Sequence, residues 1–316
     1  MTGATGFVGR HLCKLLTNRG FSVIGTTRSS VGTALASNCD LRVIPDISDN
    51  PDWGPILKDT DYVVHLAARV HVMQDKEQDP MAAYRRVNVD GTEQLLRHAH
   101  MRNIKRFVYI SSVKVHGDET GESPFSVNDD LTPSDPYGKS KLEAEQIVAK
   151  VGEEIGIETV VVRPPLVYGP GVDGNFRKLM QMIDKGYPLP LGNINNRRSL
   201  VGVRNLCSLI CECLLNPSAA GQKFLVSDNQ DIATSDLIRE LGKSMSRPVR
   251  LVTFPAILLS LGSKVIGKSA ELSRLTGSLQ VNIDDTMKIL GWQPPVALAD
   301  EISATVAWYL KRGASA

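Results

Sequence analysis

Short apolar runs alternate with amphipathic stretches through the first half of the chain. The apolar runs are rich in β-branched residues, a composition typical of parallel strands buried on both faces. They cover residues 21–25, 62–66, 107–110 and 159–162. Helical periodicity is found between them, at residues 11–18, 81–102 and 137–152. The alternation predicts an α/β fold, a doubly wound parallel sheet of the Rossmann type.

The pattern changes after residue 168, where glycine and proline become frequent and the predicted elements become shorter. Gly169-Pro170-Gly171 is the first such segment. We therefore predict two domains. A dinucleotide-binding Rossmann domain covers residues 1–168, and a smaller mixed α/β domain, mainly for binding the substrate, covers residues 169–316.

The chain opens on Met1-Thr2-Gly3, so no apolar strand leads into the glycine-rich turn that follows. Such a strand is central in a Rossmann sheet, and its loss leaves backbone groups of both neighbouring strands unpaired. We therefore expect the natural chain to begin some residues upstream.

Composition places the chain among ordinary globular proteins, because 42% of its 316 residues are hydrophobic and 22% are charged. A net charge of +2 provides no field for binding nucleic acid. No basic and then apolar leader opens the chain, and the apolar run at residues 254–261 is too short to span a bilayer. We predict a cytoplasmic protein with neither nucleic-acid nor membrane partners.

The five cysteines include no CxxC pair and do not form a disulfide framework. Cys207, Cys211 and Cys213 lie close together, but in an apolar helical segment without histidine. We interpret them as buried hydrophobic residues and predict no metal site. An odd number of cysteines without a disulfide framework favours a reducing compartment.

Gly3, Gly6 and Gly9 recur at a three-residue spacing immediately before a predicted helix. Glycine allows a tight turn and lets the backbone approach a pyrophosphate closely. The N–H groups and the dipole of the helix then meet the phosphate charge. The segment therefore predicts a dinucleotide site.

Counting the absent first strand, the second predicted strand is the one at residues 21–25, which leads to Arg28 and carries no acidic residue. An acid at this place accepts hydrogen bonds from the ribose hydroxyls of NAD, whereas an arginine can bind the 2′-phosphate of NADP. Arg28 could equally be a surface residue, so the pattern favours NADP(H) and leaves NAD open. Asp46 and Ile47 follow the third strand and are predicted at the adenine edge, while Ala67-Ala68 lets the chain pass close to the cofactor.

Tyr137 and Lys141 are four residues apart on a predicted helix, which places phenol and ammonium on one face. A phenol has a pKa of about 10 and is a poor base unless a nearby positive charge favours its anion. We expect Lys141 and an oxidised nicotinamide to provide that charge, so that Tyr137 exchanges a proton while hydride moves at carbon. Ser112 follows the strand at residues 107–110 and is placed to bind the reacting oxygen.

In their order along the chain, these motifs resemble those of the extended short-chain dehydrogenases/reductases, and within them the nucleotide-sugar epimerases and reductases. The resemblance spans nearly the whole chain. Besides the glycine turn and the Tyr137/Lys141 pair, it is carried by Asp46-Ile47, His65-Leu66-Ala67-Ala68, Asn88-Val89-Asp90-Gly91-Thr92, Ser111-Ser112, Arg163-Pro164, Val167-Tyr168-Gly169-Pro170-Gly171 and Leu290-Gly291-Trp292. Residues 197–200 and 274–281 resemble a UDP-glucose 4-epimerase-like branch associated with bacterial surface polysaccharide (O-antigen) synthesis.

The resemblance implies a role for each site residue: Tyr137 as acid/base, Ser112 on the sugar oxygen, and Lys141 on the nicotinamide ribose. The implied cofactor contacts are Gly3, Gly6, Phe7, Val8, Gly9, Arg28, Asp46, Ile47, Leu66, Ala67, Ala68, Asn88, Tyr137, Lys141 and Pro164. The implied substrate contacts are Ser111, Ser112, Asn175, Phe176, Arg198 and Arg274. A UDP-sugar substrate and a homodimer formed by the helices at residues 81–102 and 137–152 are implied as well.

The sequence also departs from the family pattern. Val113 and Lys114 stand where 4,6-dehydratases carry an Asp-Glu pair, so we reject dehydration. His116 stands at a position where tyrosine is usual, and Leu166 stands where many epimerases have asparagine.

Three interpretations remain. A UDP-sugar 4-epimerase oxidises C4 transiently and returns the hydride to the other face, with tightly held NAD. A 4-keto reductase of a UDP-4-keto-6-deoxy-N-acetylhexosamine consumes NAD(P)H at each turnover, and Arg28 favours it. A non-catalytic NADP-sensing regulator is disfavoured because Ser112, Tyr137 and Lys141 are all present.

Overall fold

The computed structural model describes residues 1–29, 39–70, 77–253 and 275–313. The strands are β1 (Val23–Thr27), β2 (Cys39–Val43), β3 (Tyr62–His65), β4 (Arg106–Ile110), β5 (Glu158–Arg163), β6 (Leu166–Tyr168), β7 (Leu200–Gly202) and β8 (Lys223–Leu225). The helices are α1 (Phe7–Asn18), α2 (Gly54–Leu57), α3 (Pro80–Arg85), α4 (Gly91–His100), α5 (Pro136–Ile155), α6 (Gly174–Asp184), α7 (Val203–Leu215), α8 (Thr234–Met245), α9 (Asp284–Leu290) and α10 (Leu298–Gly313). A π-helical turn, Arg86–Asp90, joins α3 to α4.

Parallel strands form the centre of the fold. β3, β4, β5 and β8 are hydrogen-bonded in that order, and β1 pairs with β2. The first residues of the chain join the two groups, because the Thr2 N–H donates to the Val64 carbonyl at 3.0 Å and the Thr26 N–H donates to the Met1 carbonyl at 2.9 Å. Met1 and Thr2 therefore lie where a Rossmann sheet has its central strand, and they link β1 to β3 through these two hydrogen bonds.

A cavity of about 340 Å³ lies near the amino ends of β1 and β3. Its lining includes Ile24, Trp53, Val63 and Leu95. The start of the natural chain upstream of Met1 stays a prediction.

Helices cover both faces of the sheet. Val108 and Val160 contribute to a core cluster with side chains of α1 and α7, whereas the neighbouring Phe107 and Val161 contribute to a second cluster with α4 and α5. Successive residues of a buried strand point to opposite faces, which explains the continuous apolar runs. The predicted doubly wound α/β fold is confirmed. Among the described residues, no helix is long and apolar enough to cross a membrane.

A smaller unit is built on the short parallel pair β6–β7 and on α6, α8 and α10. Its separate core contains Tyr168, Phe176, Ile238 and Ile302. The second half of the chain also returns to the main sheet, since β8 pairs with β5 and α7 packs against α1. The predicted boundary at residue 168 thus divides the chain less cleanly than the sequence implies, and the two-domain division stays a prediction.

Candidate active site

A cleft of about 780 Å³ lies along the carboxyl ends of β1, β3 and β4. Ligands of doubly wound sheets bind at this edge. Nearly all of the predicted cofactor residues line the cleft: Gly3, Gly6, Phe7, Val8, Gly9, Arg28, Asp46, Ile47, Leu66, Ala67, Ala68, Tyr137, Lys141 and Pro164. Ser111 and Ser112 line it as well. Residues remote in sequence are thus brought to one surface.

The glycine turn forms a cradle that has no room for side chains. Gly3 has a φ of +66°, and a Cβ there would lie 3.0 Å from the Ala67 nitrogen. A Cβ on Gly9 would lie 2.2 Å from the Gly3 carbonyl oxygen. Helix α1 begins after Gly6 without a side-chain cap, which leaves its first N–H groups for another acceptor. The turn therefore fits the pyrophosphate of a dinucleotide.

Arg28 is not isolated at the end of β1, because its Nη1 donates to Asp46 Oδ2 at 2.8 Å. Asp46 Oδ1 also accepts from the Ser48 N–H at 3.1 Å. Burial raises the pKa of Asp46, but the hydrogen bonds from Ser48 and Arg28 outweigh it and hold this pKa below its usual value. β1 carries no acidic residue, but Asp46 follows β2 and faces the same cleft. The cleft is thus lined by the Asp46 carboxylate and the Arg28 guanidinium.

Helix α5 carries the predicted acid/base residues into the cleft. Asp135 begins the helix by accepting from the Gly138 N–H at 2.7 Å, and Pro136 occupies its first turn. Tyr137 and Lys141 then reach the same surface as Ser112. Ser112 accepts from the Lys114 N–H at 3.2 Å, which turns the chain away from the sheet directly after β4.

Lys141 is 2% exposed and is held by two groups of β4. Its Nζ donates to the Ile110 carbonyl at 2.6 Å and lies 4.3 Å from the centre of the Tyr109 ring. Burial lowers the pKa of Lys141 to about 7, although the carboxylate of Glu145 opposes this shift. The charge of this lysine therefore changes near neutral pH.

The pKa of Tyr137 in the protein without cofactor lies above the ordinary value of a phenol. Burial of the phenol raises this pKa to about 12, and the hydroxyl of Ser112 opposes the increase. The Lys141 ammonium contacts the Ile110 carbonyl and the Tyr109 ring, and its expected effect on the phenol together with an oxidised nicotinamide stays a prediction. In the protein alone, Tyr137 carries its proton at neutral pH.

A buried ion pair lies beneath the site on the same helix face, and sequence reasoning missed it. Arg163 Nη2 and Glu145 Oε2 are 2.7 Å apart, and both side chains are 1% exposed. His116 Nε2 accepts from Arg163 Nη1 at 2.9 Å. Burial and the Arg163 charge lower the pKa of His116 to about 4, so the ring is neutral and can accept. The spacing of Glu145, four residues after Lys141, is the signal that could have revealed it.

Asn88 does not line the cleft but connects two segments that do. Its Oδ1 accepts from the Arg69 N–H at 2.8 Å, and its Nδ2 donates to the Arg69 carbonyl at 3.1 Å. The same Nδ2 donates to Ser140 Oγ at 2.9 Å. Asn88 thus holds the chain after β3 against the helix of Tyr137.

The described substrate residues predicted in the second half, Asn175, Phe176 and Arg198, are not among the residues that line this cleft. Asn175 is exposed at the start of α6, whereas the Phe176 side chain is buried and its ring is stacked 5.4 Å from Tyr168. Arg198 is partly buried and donates to the Gly277 carbonyl at 3.0 Å. Their roles stay predictions, and a nucleotide contact of Phe176 would have to use its backbone. Arg274 and the apolar run at residues 254–261 lie outside the described residues.

Val113 and Lys114, which stand where 4,6-dehydratases carry an Asp-Glu pair, have no carboxylate. Val113 is buried, and Lys114 forms ion pairs with Asp118 and Asp135. Among the residues that the structure describes, Asp46 is the acidic residue that lines the cleft, and it lies beside Arg28. No carboxylate therefore lies next to Tyr137 in the described lining.

Known proteins resemble this chain along nearly its full length. A model of the NAD dependent epimerase/dehydratase family matches residues 1–227. A UDP-glucose 4-epimerase from Vibrio cholerae is 42% identical over 314 residues, which cover 98% of this chain and 95% of that protein.

Two solved structures have a similar fold, each with a TM-score of 0.79. A UDP-glucuronic acid 4-epimerase from Bacillus cereus, in complex with NAD, is 23% identical, with coverage of 98% of this chain and 95% of that one. A UDP-glucose 4-epimerase from Thermotoga maritima, with UDP-glucose, is 21% identical, with coverage of 98% of both chains.

Proposed function

The chain belongs to the NAD-dependent epimerase/dehydratase family, and on that premise we propose that it is a UDP-sugar 4-epimerase. Its substrate would be a UDP-hexose or a UDP-N-acetylhexosamine. One observation carries the proposal: Ser112, Tyr137 and Lys141 line the same cleft as the glycine turn. Groups for proton transfer therefore lie beside groups for a dinucleotide.

The cleft fits NAD at both ends. Gly3, Gly6 and Gly9 would hold the pyrophosphate, because side chains at Gly3 and Gly9 would collide with the backbone. Asp46 and Ile47 would lie at the adenine edge, and Lys141 would donate to the nicotinamide ribose. Bound NAD supplies the acceptor and the later donor of the C4 hydride, together with a positive ring.

Tyr137 would exchange the proton of the C4 hydroxyl, with Ser112 hydrogen-bonded to the same oxygen. A phenol with a pKa of about 12 is a competent proton donor at neutral pH. To accept the hydroxyl proton in the oxidative step, the phenol must first be ionised, which requires an added positive charge beside it. Ser112 already opposes the increase in this pKa and would stabilise the phenolate.

Arg198 would bind the diphosphate of the nucleotide. It is a partly buried cation on the substrate side, directly before β7. A guanidinium can bind two phosphate oxygens at once. Loss of this contact should weaken binding of the nucleotide sugar and leave NAD binding intact.

A 4-keto reductase is the second candidate, and Arg28 favours it. This guanidinium lines the cleft and is largely exposed, so it could meet a 2′-phosphate of NADPH. Its ion pair with Asp46 would have to be exchanged for the phosphate. Dehydration is disfavoured, because no described carboxylate lies next to Tyr137 in the cleft lining.

Incubation with UDP-glucose or UDP-N-acetylglucosamine, without added cofactor, tests the proposal. Proton NMR should show the C4 epimer of the sugar, because an epimerase regenerates its bound NAD. Oxidation of NADPH that requires a 4-keto sugar, without epimer formation, would instead identify a reductase. Absence of both reactions would overturn both candidates.

A further inference from the structure

Two cysteines face each other outside the proposed active site. Cys13 lies on α1 and Cys39 begins β2, and their sulfur atoms are 3.6 Å apart. Cys13 is fully buried and Cys39 is half-buried. Both are free thiols in this structure.

The packing around the pair explains how a helix and a strand bring their sulfurs together. Gly25 of β1 lies beside Cys39, and a Cβ on that glycine would lie 3.1 Å from the Cys39 sulfur. The same Cβ would lie 2.6 Å from the Cβ of Ala4. The absence of a side chain at Gly25 therefore leaves the space in which the Cys39 sulfur reaches α1.

We propose that Cys13 and Cys39 are a redox modification site that closes to a reversible disulfide when hydrogen peroxide is the oxidant. A disulfide has a sulfur–sulfur distance of about 2.0 Å, so the 3.6 Å gap must close by about 1.6 Å. Rotation of the two side chains would have to supply this shift. The site does not depend on the proposed epimerase activity.

The two sulfurs have different roles. The two thiols share a hydrogen bond in which either sulfur can donate, and this bond is the largest cause that lowers the pKa of the more exposed Cys39. The same bond raises the pKa of Cys13. Cys39 is therefore the better thiolate, and its partial exposure gives peroxide access.

The reaction balances in two steps. The Cys39 thiolate attacks one peroxide oxygen, the O–O bond breaks, and Cys39 becomes a sulfenic acid while hydroxide leaves and is protonated to water. The Cys13 sulfur then attacks the Cys39 sulfur, the S–O bond breaks, and the departing hydroxide takes the Cys13 proton as water. Two thiols are oxidised and one peroxide is reduced to two waters.

The link would join α1, which carries the glycine turn, to β2. The disulfide would form a covalent loop of the chain between Cys13 and Cys39, which includes β1 and Arg28. A cross-link of this kind restricts the unfolded chain. We expect the midpoint of thermal unfolding to rise by a few degrees on oxidation and to return after reduction.

Peptide mapping by mass spectrometry without reductant tests the site in the full chain treated with peroxide. A peptide linking Cys13 to Cys39, lighter by two hydrogen atoms and separated by dithiothreitol, is expected. Oxidation of Cys39 to a sulfinic acid without a link, a link to a cysteine of α7, or unchanged thiols would overturn the proposal.

Single variants separate the roles. Cys13→Ala should accumulate a sulfenic acid on Cys39 that dimedone traps, because the resolving thiol is gone. Cys39→Ala should leave Cys13 unmodified under the same exposure. Cys207→Ala is the matched control, since Cys207 is also buried beside α1, and it should form the link as the unchanged protein does. Equal trapping on Cys13 and Cys39 would contradict the assignment.

Discussion

The ammonium of Lys141 donates to the main-chain carbonyl of Ile110 at 2.6 Å. This bond joins α5 to the end of β4, immediately before Ser111 and Ser112. The lysine therefore fixes the distance between the proposed proton-transfer helix and the strand that positions Ser112. Its burial also makes its charge sensitive to pH, because the pKa is lowered to about 7.

The dependence of stability on pH should reveal Lys141. Its pKa is lowered in the folded protein from 10.5 to about 7, so the unfolded chain binds one more proton between these values. A rise in pH across this window therefore increases the free energy of unfolding, by up to about 1.4 kcal/mol per pH unit. Urea unfolding of the cofactor-free protein at about pH 7 and about pH 9 should show a larger increase than in Lys141→Met. Equal increases in both proteins would contradict the buried lysine.

Tyr137→Phe should reduce kcat by about 100-fold or more, because it removes the group proposed to exchange the C4 proton. The NAD content of the purified protein should remain unchanged. Tyr84→Phe is the control, since the Tyr84 ring contacts Tyr137 edge-on but its hydroxyl donates to the Val70 carbonyl. A comparable loss of kcat in both variants would show that hydroxyl removal acts through packing.

Gly9→Ala should abolish NAD binding, because the new methyl group would lie 2.2 Å from the Gly3 carbonyl oxygen and deform the turn. Gly121→Ala is a suitable control, since no atom lies within 4 Å of its added Cβ. Calorimetric titration with NAD measures both. Normal NAD affinity in Gly9→Ala would remove the glycine turn from the proposed site.

Arg163→Met should lower the free energy of unfolding by about 3–5 kcal/mol, because it leaves the Glu145 carboxylate buried without its partner. Adding Glu145→Met should recover part of this loss, since the isolated charge is removed. The solvent-exposed ion pair of Arg97 and Glu93 provides the comparison, and Arg97→Met should cost much less than Arg163→Met because solvent screens the exposed charges. Urea unfolding measures all three, and a small loss in Arg163→Met would show that the pair contributes little.

Arg198→Ala should raise the KM for the UDP-sugar by about tenfold or more through loss of a charge-assisted contact. NAD affinity should stay unchanged. Arg197→Ala removes a neighbouring exposed arginine of the same charge and should leave KM unaltered. Identical KM values in the two variants would place the diphosphate elsewhere.

Local patterns were sufficient for the fold, and together with the family resemblance they named many of the residues that line the cleft. The apolar periodicity predicted a helix at residues 137–152, and α5 covers Pro136–Ile155. Glycine spacing and the Tyr137/Lys141 pair are likewise short-range signals. They were informative because a tight turn and one helix face are each determined by a few consecutive residues.

Contacts between distant segments were not predictable in this way. Asp46 reaches Arg28 from the segment after another strand, and the Lys141 ammonium donates to the Ile110 carbonyl. The Phe176 side chain is drawn into a core that its own segment does not reveal. Side-chain direction depends on which segments pack together, and that information is spread over the whole chain.

The π-helical turn at Arg86–Asp90 has a consequence for how the site tolerates change. A wide turn takes up one more residue than an ordinary helical turn over a similar rise. The extra residue is absorbed locally, so α4 can keep its packing against α5 while Asn88 is aimed at Arg69 and Ser140. A change in the direction of the Asn88 side chain therefore need not displace α4.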